Sequence, residues 1–115
     1  MQVTRIEDAK PYEAPGHFAM TGLRLQGYEA SDANAFWVGL SHFLPGGGAD
    51  SSASNIEKVY VVVSGEVTVI TDDGETTLRA FDSCRLAPGE RREIINRTNQ
   101  PASMLVMMPY PAADG

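Results

Sequence analysis

The sequence holds few side chains that could do chemistry. His17 and His42 are the only histidines. Each titrates near neutral pH, so each is a candidate acid or base as well as an ordinary polar residue. His42 is favoured as a catalytic base, because it lies nearer the segments that carry the other candidates. Tyr60 follows Lys58 by two residues, so both side chains point to one side of a strand. Tyr60 then donates its hydroxyl to a substrate oxygen or fills the core.

Other motifs give weaker signals. Cys84 is the sole cysteine and is predicted to be a small buried residue rather than a nucleophile. The glycine run at 46–48 is not a phosphate-binding loop, because no Lys-Ser or Lys-Thr pair ends it and no helix follows. His17, His42 and Glu57 would form an unusual metal site, but their spacing matches no familiar ligand pattern.

The elements that must position these residues are short and β-rich. The pattern shows alternation or β-branched runs bounded by Gly, Pro and Asp, and Asp72-Asp73-Gly74 is a strong hairpin turn signal. The small polar stretch 46–54 is predicted to be a loop. The tails 1–16 and 108–115 are expected to be irregular or to pair as edge strands with another subunit. Strands are predicted at 19–26, 35–44, 57–63, 66–71, 76–80, 83–87, 91–97 and 102–109, which is typical of an all-β sandwich or barrel.

Length and composition set the outer limits. The chain has 115 residues, 43% hydrophobic residues and a net charge of −6, so we expect one domain over 1–115 with its core at about 19–109. The acidic balance argues against nucleic acid as a partner. No apolar run predicts a membrane span or a signal peptide. With a single cysteine, a cytoplasmic location is the simplest expectation.

Two stretches of this sequence resemble the signatures of the cupin superfamily. In the first, Gly46 is followed by Ser52, Ser54, Lys58 and Gly65, and the spacing is similar to a family pattern of Gly, two His, Glu and Gly. The second is similar over Phe81, Ala87, Gly89, Arg92 and Asn96. The resemblance covers about residues 35 to 109 and implies a single-domain jelly-roll β-barrel.

The resemblance also shows where this chain departs from the family. Metal-dependent members bind one divalent ion through the two His, the Glu and a later His. Here those positions read Ser52, Ser54, Lys58 and Arg92. Serine hydroxyls are poor ligands for such metals, and the positive charges of Lys58 and Arg92 repel a metal cation. We therefore expect no metal and no cofactor.

The same substitutions suggest an anion site. If the resemblance holds, Lys58 and Arg92 project into one apolar cavity, where two cations repel each other unless an anion joins them. Arg92 suits a bidentate grip on a carboxylate, and a buried Lys58 would act as a base or Schiff-base amine. A register slip of one residue would put Arg91 in place of Arg92. Alternatively, both cations pair with Glu57 or Glu93 at the barrel rim.

The expected function is that of a metal-independent enzyme acting on a small acidic or carbonyl-containing molecule. Isomerase, lyase, hydratase or cyclase chemistry would use Lys58, His42 or Tyr60 to move protons. The substrate-binding residues would be Arg92, Ser52, Ser54 and Trp37. The alternatives are a non-catalytic small-anion binding or sensory domain, and an enzyme with metal on His17, His42 and Glu57. Members of this size are usually homodimers, so a homodimer is expected.

Overall fold

The computed structural model describes residues 1–111. These residues form nine strands and one short 3-10 helix, Ile6–Asp8. No helix within them is long and apolar enough to cross a membrane. The strands are β1 (Lys10–Tyr12), β2 (His17–Gln26), β3 (Trp37–Ala53), β4 (Lys58–Ser64), β5 (Glu66–Thr71), β6 (Gly74–Arg79), β7 (Ser83–Leu86), β8 (Arg91–Ile95) and β9 (Ala102–Met108).

All strand pairs are antiparallel, and the long strand β3 joins two halves of the sheet. Its first part, from Trp37 to Phe43, pairs with β9, β9 pairs with β4, and β4 pairs with β7. Its later part, from Gly48 to Ala53, pairs with β8, which leads on to β5 and β6. The sheet therefore folds over on itself through β3. This is the predicted all-β jelly-roll barrel.

The predicted loop at 46–54 is wrong, because β3 runs through it to Ala53. A Cβ atom at Gly47 would collide with the carbonyl oxygen of Ala19, and one at Gly48 with that of Ile94. These glycines let neighbouring backbones approach where the sheet bends. A search for alternating side chains cannot detect such a strand, since its side chains are absent or small.

The N-terminal tail does not remain irregular. Residues Lys10–Tyr12 form β1, which pairs with β2 of the same chain. The ring of Tyr12 lies against Gly22 and Gly39, where a Cβ atom would crowd it. The tail is thereby packed onto the barrel by one aromatic ring. The last part of the predicted C-terminal tail, 112–115, lies outside the described residues.

Apolar side chains close one end of the barrel. The inward positions of the strands place Phe43, Val62 and Val67 there, each at most 1% exposed, and burial of each contributes about 1.5–3 kcal/mol. Asn96 is also fully buried, and its amide donates to the carbonyls of Phe43, Leu44 and Gln100. Because every donor there is satisfied, this polar group fixes the end of β8 without a desolvation penalty.

Candidate active site

The other end of the barrel holds a cavity of about 250 Å³. It lies between the β1–β2 turn and the ends of β3, β4, β8 and β9. Cavities that hold drug-sized ligands measure about 300–1,000 Å³. The space therefore suits a smaller molecule, of the size of a monosaccharide or a short acid. Its charged and polar wall is made of Glu13, His17, Arg24, Lys58, Tyr60 and Arg92.

Arg92 on β8 is 7% exposed and lies in the cavity wall. Its Nε donates to the Tyr60 hydroxyl over 2.9 Å, and its Nη1 donates to the carbonyl of Asp50 and to Ser52 Oγ over 3.0 and 3.1 Å. Arg91, the next residue on the strand, is exposed. The structure thus settles the register in favour of Arg92, and Nη2 is the nitrogen without an acceptor among residues 1–111.

Tyr60 on β4 is 2% exposed and lies beside Arg92. Burial raises the pKa of its phenol, while the Arg92 guanidinium acts in the opposite direction. The phenol is therefore protonated at neutral pH. Because its oxygen accepts from Arg92, its own proton is available for a ligand in the cavity.

Lys58 begins β4 and lines the same cavity. Burial lowers the pKa of its ammonium group, and Arg92 lowers it further. Neither Glu57 nor Glu93 forms an ion pair with Lys58 or Arg92, and Glu57 pairs with Arg85 instead. Pairing of the two cations at the rim, the alternative left open by the sequence, is therefore absent from the described residues.

The structure brings His17, rather than His42, to the cavity. His17 Nδ1 lies 3.0 Å from the Pro15 carbonyl oxygen. Since a carbonyl only accepts, Nδ1 carries the hydrogen and Nε2 of the neutral ring keeps its lone pair. Burial is the main cause that lowers the pKa of His17, and Arg92 and Lys58 add to it. The ring is therefore a neutral base at pH 7.

His42 lies on the outer face of β3, between the buried residues Ser41 and Phe43. Its Nδ1 is 2.7 Å from the hydroxyl of Ser103 on β9. Alternation along the strand turns it away from the cavity. The prediction that favoured His42 relied on closeness in sequence, and the structure does not place it with the other candidates.

The three remaining predicted residues take different positions. Trp37 is 7% exposed and lines the cavity. Ser52 is outside the lining. Its Oγ accepts a hydrogen bond from Nη1 of Arg92, which does line the cavity. Ser54 is also outside the lining, and its Oγ accepts the Ile56 N–H of a local turn. The serines therefore position Arg92 and a turn rather than form a shared surface for a ligand.

Sequence reasoning missed Arg24 on β2. Its guanidinium carbon lies 3.9, 4.1 and 4.6 Å from the ring centroids of Tyr12, Tyr28 and Trp37. Its side chain is 12% exposed. A signal was available, because Arg24 lies between Leu23 and Leu25 in an alternating strand. Such a pattern puts an arginine on the face opposite to the leucines.

The positions that bind metal in cupins do not suit a metal here. Ser52 accepts a hydrogen bond from Arg92, and Lys58 lies near enough for Arg92 to lower its pKa. Two cations in the donor set disfavour a divalent ion. Within residues 1–111, no three His, Cys, Asp or Glu side chains come close enough to hold one. His17, His42 and Glu57 in particular are on different surfaces.

The jelly-roll barrel, with its cavity at one end, defines the class of protein. The family model for the Cupin_2 cupin domain matches residues 39–108. The chain therefore belongs to the cupin family.

The chain is also similar to individual proteins. The chain is 46% identical over 114 residues to a Mycobacterium tuberculosis protein named beta-D-galactosidase Rv1717, with 99% of this chain and 98% of that protein covered. Solved structures share the fold. The polyketide cyclase RemF from Streptomyces resistomycificus has a TM-score of 0.85 at 18% identity, covering 95% of this chain and 79% of that one. A sugar phosphate isomerase of the cupin superfamily from Silicibacter pomeroyi has a TM-score of 0.79 at 21% identity. The match covers 93% of this chain and 74% of that one.

Proposed function

We propose that this chain is a metal-independent cupin enzyme that hydrolyses a small glycoside, with β-D-galactosides as the first substrates to test. The observation that carries the proposal is the identity of 46% with a protein named as a β-D-galactosidase, over almost the whole of both chains. The cavity supports it, because its volume of about 250 Å³ suits one sugar ring. Trp37 offers an apolar wall, and Arg92, Lys58 and Tyr60 offer donors for hydroxyl groups.

The usual glycosidase mechanism needs two carboxylates at the scissile bond. Among the described residues that line the cavity, Glu13 is the single carboxylate. We therefore assign the proton transfers to the basic groups. His17 Nε2 accepts a proton from the water that attacks the anomeric carbon, because Nδ1 is already bonded to Pro15.

The Lys58 ammonium group donates a proton to the departing oxygen as the glycosidic bond breaks. Its lowered pKa makes it a stronger acid than an ordinary lysine. Direct attack by water forms the new bond on the face opposite to the leaving group, so the configuration at the anomeric carbon is inverted. Fresh product from a β-galactoside would be the α-anomer, which proton NMR of the first turnovers would detect.

The test is hydrolysis of p-nitrophenyl β-D-galactopyranoside by chelator-dialysed protein, produced in a host that lacks its own β-galactosidase. We expect turnover without added metal, and its loss in His17→Gln. His42→Gln is the matched control, since His42 lies on the outer face of β3. No turnover by the unmodified chain, or activity that appears with added metal alone, would overturn the proposal.

A second candidate is the acid–base enzyme that the sequence predicted, an isomerase, lyase or cyclase that acts on a small acid. It is favoured by the charge of the cavity wall, where Arg24, Lys58 and Arg92 outnumber Glu13, the one carboxylate among the described lining residues. Conversion of small hydroxy or keto acids, followed by NMR, would support it over hydrolysis. Saturable binding of such acids without conversion would support the non-catalytic anion-binding domain.

We also propose that two copies of this chain pair through the outer face of β2, β3, β9 and β4. Leu23, Leu40, Leu105 and Val61 form one row across these strands, and each is half-buried in the single chain. A continuous apolar row of this kind is typical of an interface between copies. Light scattering should give a dimer that Leu105→Glu converts to a monomer. The cytoplasmic location stays a prediction.

A further inference from the structure

Arg24 is a largely buried cation, 12% exposed at its side chain, that lies among three aromatic rings. Tyr12, Tyr28 and Trp37 surround its guanidinium at 3.9 to 4.6 Å. The rings also pack on each other, with Tyr12 and Tyr28 both edge-on to Trp37 at 5.6 and 5.9 Å. Such an enclosure attracts the charge through the ring faces and fixes its position. The ring faces do not accept conventional hydrogen bonds, so they leave the Nε–H group of Arg24 without an acceptor among residues 1–111.

One donor of Arg24, its buried Nε–H group, is unsatisfied within residues 1–111. The nearest carboxylate oxygen, from Glu29, is 3.9 Å from Nε, which is longer than a hydrogen bond. A buried donor without an acceptor is costly. An unsatisfied buried donor in a native protein therefore calls for an explanation, and an ion bound beside it is one such explanation.

Arg24 lines the same cavity as Lys58 and Arg92. Three cationic side chains thus face Glu13, the one carboxylate among the described residues of that wall. A neutral sugar would leave this excess of positive charge balanced only by Glu13 and by Glu29, whose carboxylate is 3.9 Å from Arg24 Nε. An oxyanion attached to the sugar would neutralise part of it and accept hydrogen bonds from the guanidinium of Arg24.

We propose that Arg24 binds an anionic group, a carboxylate or a phosphate, on the sugar of the substrate. The proposal rests on the proposed function for the identity of the sugar, and it extends that function by naming the substrate class as an acidic glycoside. Glu29, which is 46% exposed at its side chain, is the protein's own competitor for this site. The aromatic rings hold the guanidinium ready, and the substrate supplies the missing acceptors.

The first experiment measures binding by isothermal titration of D-galactose, D-galacturonate and D-galactose 6-phosphate to the unmodified chain. We expect at least one of the two anions to bind about tenfold or more tightly than galactose, which a charge-assisted hydrogen-bond pair supplies. The better anion identifies the source of the oxyanion. Equal binding of all three sugars would overturn the inference.

Variants assign that preference to Arg24. In Arg24→Gln the preference for the anion should fall to about twofold or less, while Arg79→Gln, an exposed arginine on β6, should keep it. If Arg24→Gln fails to fold, Glu29→Gln gives an independent answer. Removal of the competing carboxylate should tighten anion binding several-fold and leave galactose unchanged. No change in Glu29→Gln, or a retained preference in folded Arg24→Gln, would overturn the assignment.

Turnover separates this inference from the proposed function. The ratio of kcat/KM for p-nitrophenyl β-D-galacturonide to that for the β-D-galactoside should exceed about ten. Hydrolysis of both substrates at equal rates would overturn the inference and leave the glycosidase. Preferred binding of the anions without any hydrolysis would overturn the glycosidase and leave the anion site.

Discussion

Two arginines face the same cavity and are held there in different ways. Arg92 donates a hydrogen bond from Nε to the Tyr60 hydroxyl, and hydrogen bonds from Nη1 to the Asp50 carbonyl and to Ser52 Oγ. Arg24 is enclosed by aromatic rings, and its Nε has no hydrogen-bond partner within residues 1–111. The first guanidinium is fixed by hydrogen bonds and the second by cation–π contacts.

The difference shows two ways to prepare a cation for a ligand. Hydrogen bonds orient the fork of Arg92 accurately, but each one removes a donor from the ligand's reach. Aromatic faces hold the charge of Arg24 and leave its Nε donor without a partner among residues 1–111. The protein itself therefore satisfies most of the donors of Arg92, while the Nε donor of Arg24 has no acceptor within residues 1–111.

The largest expected effect on activity comes from removal of the guanidinium of Arg92, the arginine that is fixed by hydrogen bonds. Arg92→Met should lower kcat/KM for the glycoside by about 100-fold, since one fixed donor is typically worth that much or more. Arg91→Met is the matched control, because Arg91 is on the same strand and exposed. Steady-state kinetics on both variants, with circular dichroism to check folding, makes the comparison. Equal losses in the two variants would contradict the assigned role of Arg92.

A smaller change would make Arg92 resemble Arg24. Tyr60→Phe removes the oxygen that accepts the hydrogen bond from Arg92 Nε. The buried Nε–H group of Arg92 then has no partner. We expect the free energy of unfolding to fall by about 1–3 kcal/mol, measured by urea denaturation. Tyr28→Phe is the control, since Tyr28 is 47% exposed and contacts Arg24 through its ring. If Tyr60→Phe is as stable as the unmodified chain, the hydrogen bond to Arg92 does not stabilise the fold.

The smallest expected effect is a pH dependence of stability that comes from His17. The positive charges of Arg92 and Lys58 both act on this ring. Its pKa in the folded chain is below the ordinary 6.5. The unfolded chain therefore binds more protons as pH falls below 6.5 toward the folded pKa, and stability falls in that window. Above 6.5 this contribution is fully present.

Thermal unfolding between about pH 5 and 7.5 would measure this contribution. The melting temperature of His17→Gln should depend less on pH than that of the unmodified chain. The rate of glycoside hydrolysis should fall in the same window, because the protonated ring no longer accepts a proton from water. Identical pH profiles of stability for the two proteins would show that His17 is not the group that titrates.

Much of the barrel could be predicted because strands leave a local pattern. Segments such as 66–71, with the turn at Asp72-Asp73-Gly74, alternate clearly and form β5 and its hairpin to β6. The stretch 46–54 carries no such pattern, since glycine and serine predominate there. It becomes a strand only because β2 and β8 pair with it from both sides.

The candidate site could be predicted in part. The spacing that resembles the cupin signatures placed Ser52 and Arg92 together, and they are cross-strand partners. The aromatic enclosure of Arg24 could not be found that way. Tyr12 belongs to a strand of three residues, which is too short for any periodicity to show. Its contact with Arg24 depends on the pairing of β1 with β2.

The sequence alone determined which side of a strand each residue occupies, because alternation is a property of the local backbone. Lys58 and Tyr60 share the cavity side for that reason, and Arg92 was one of two adjacent candidates. Only the tertiary structure decided which histidine joins them. The pairing of β2 with β3 places His17 opposite Ala49. The next residue, Asp50, has the carbonyl that accepts a hydrogen bond from Arg92. Closeness in the chain favoured His42, but antiparallel pairing brings distant residues together and turns neighbouring ones to opposite faces.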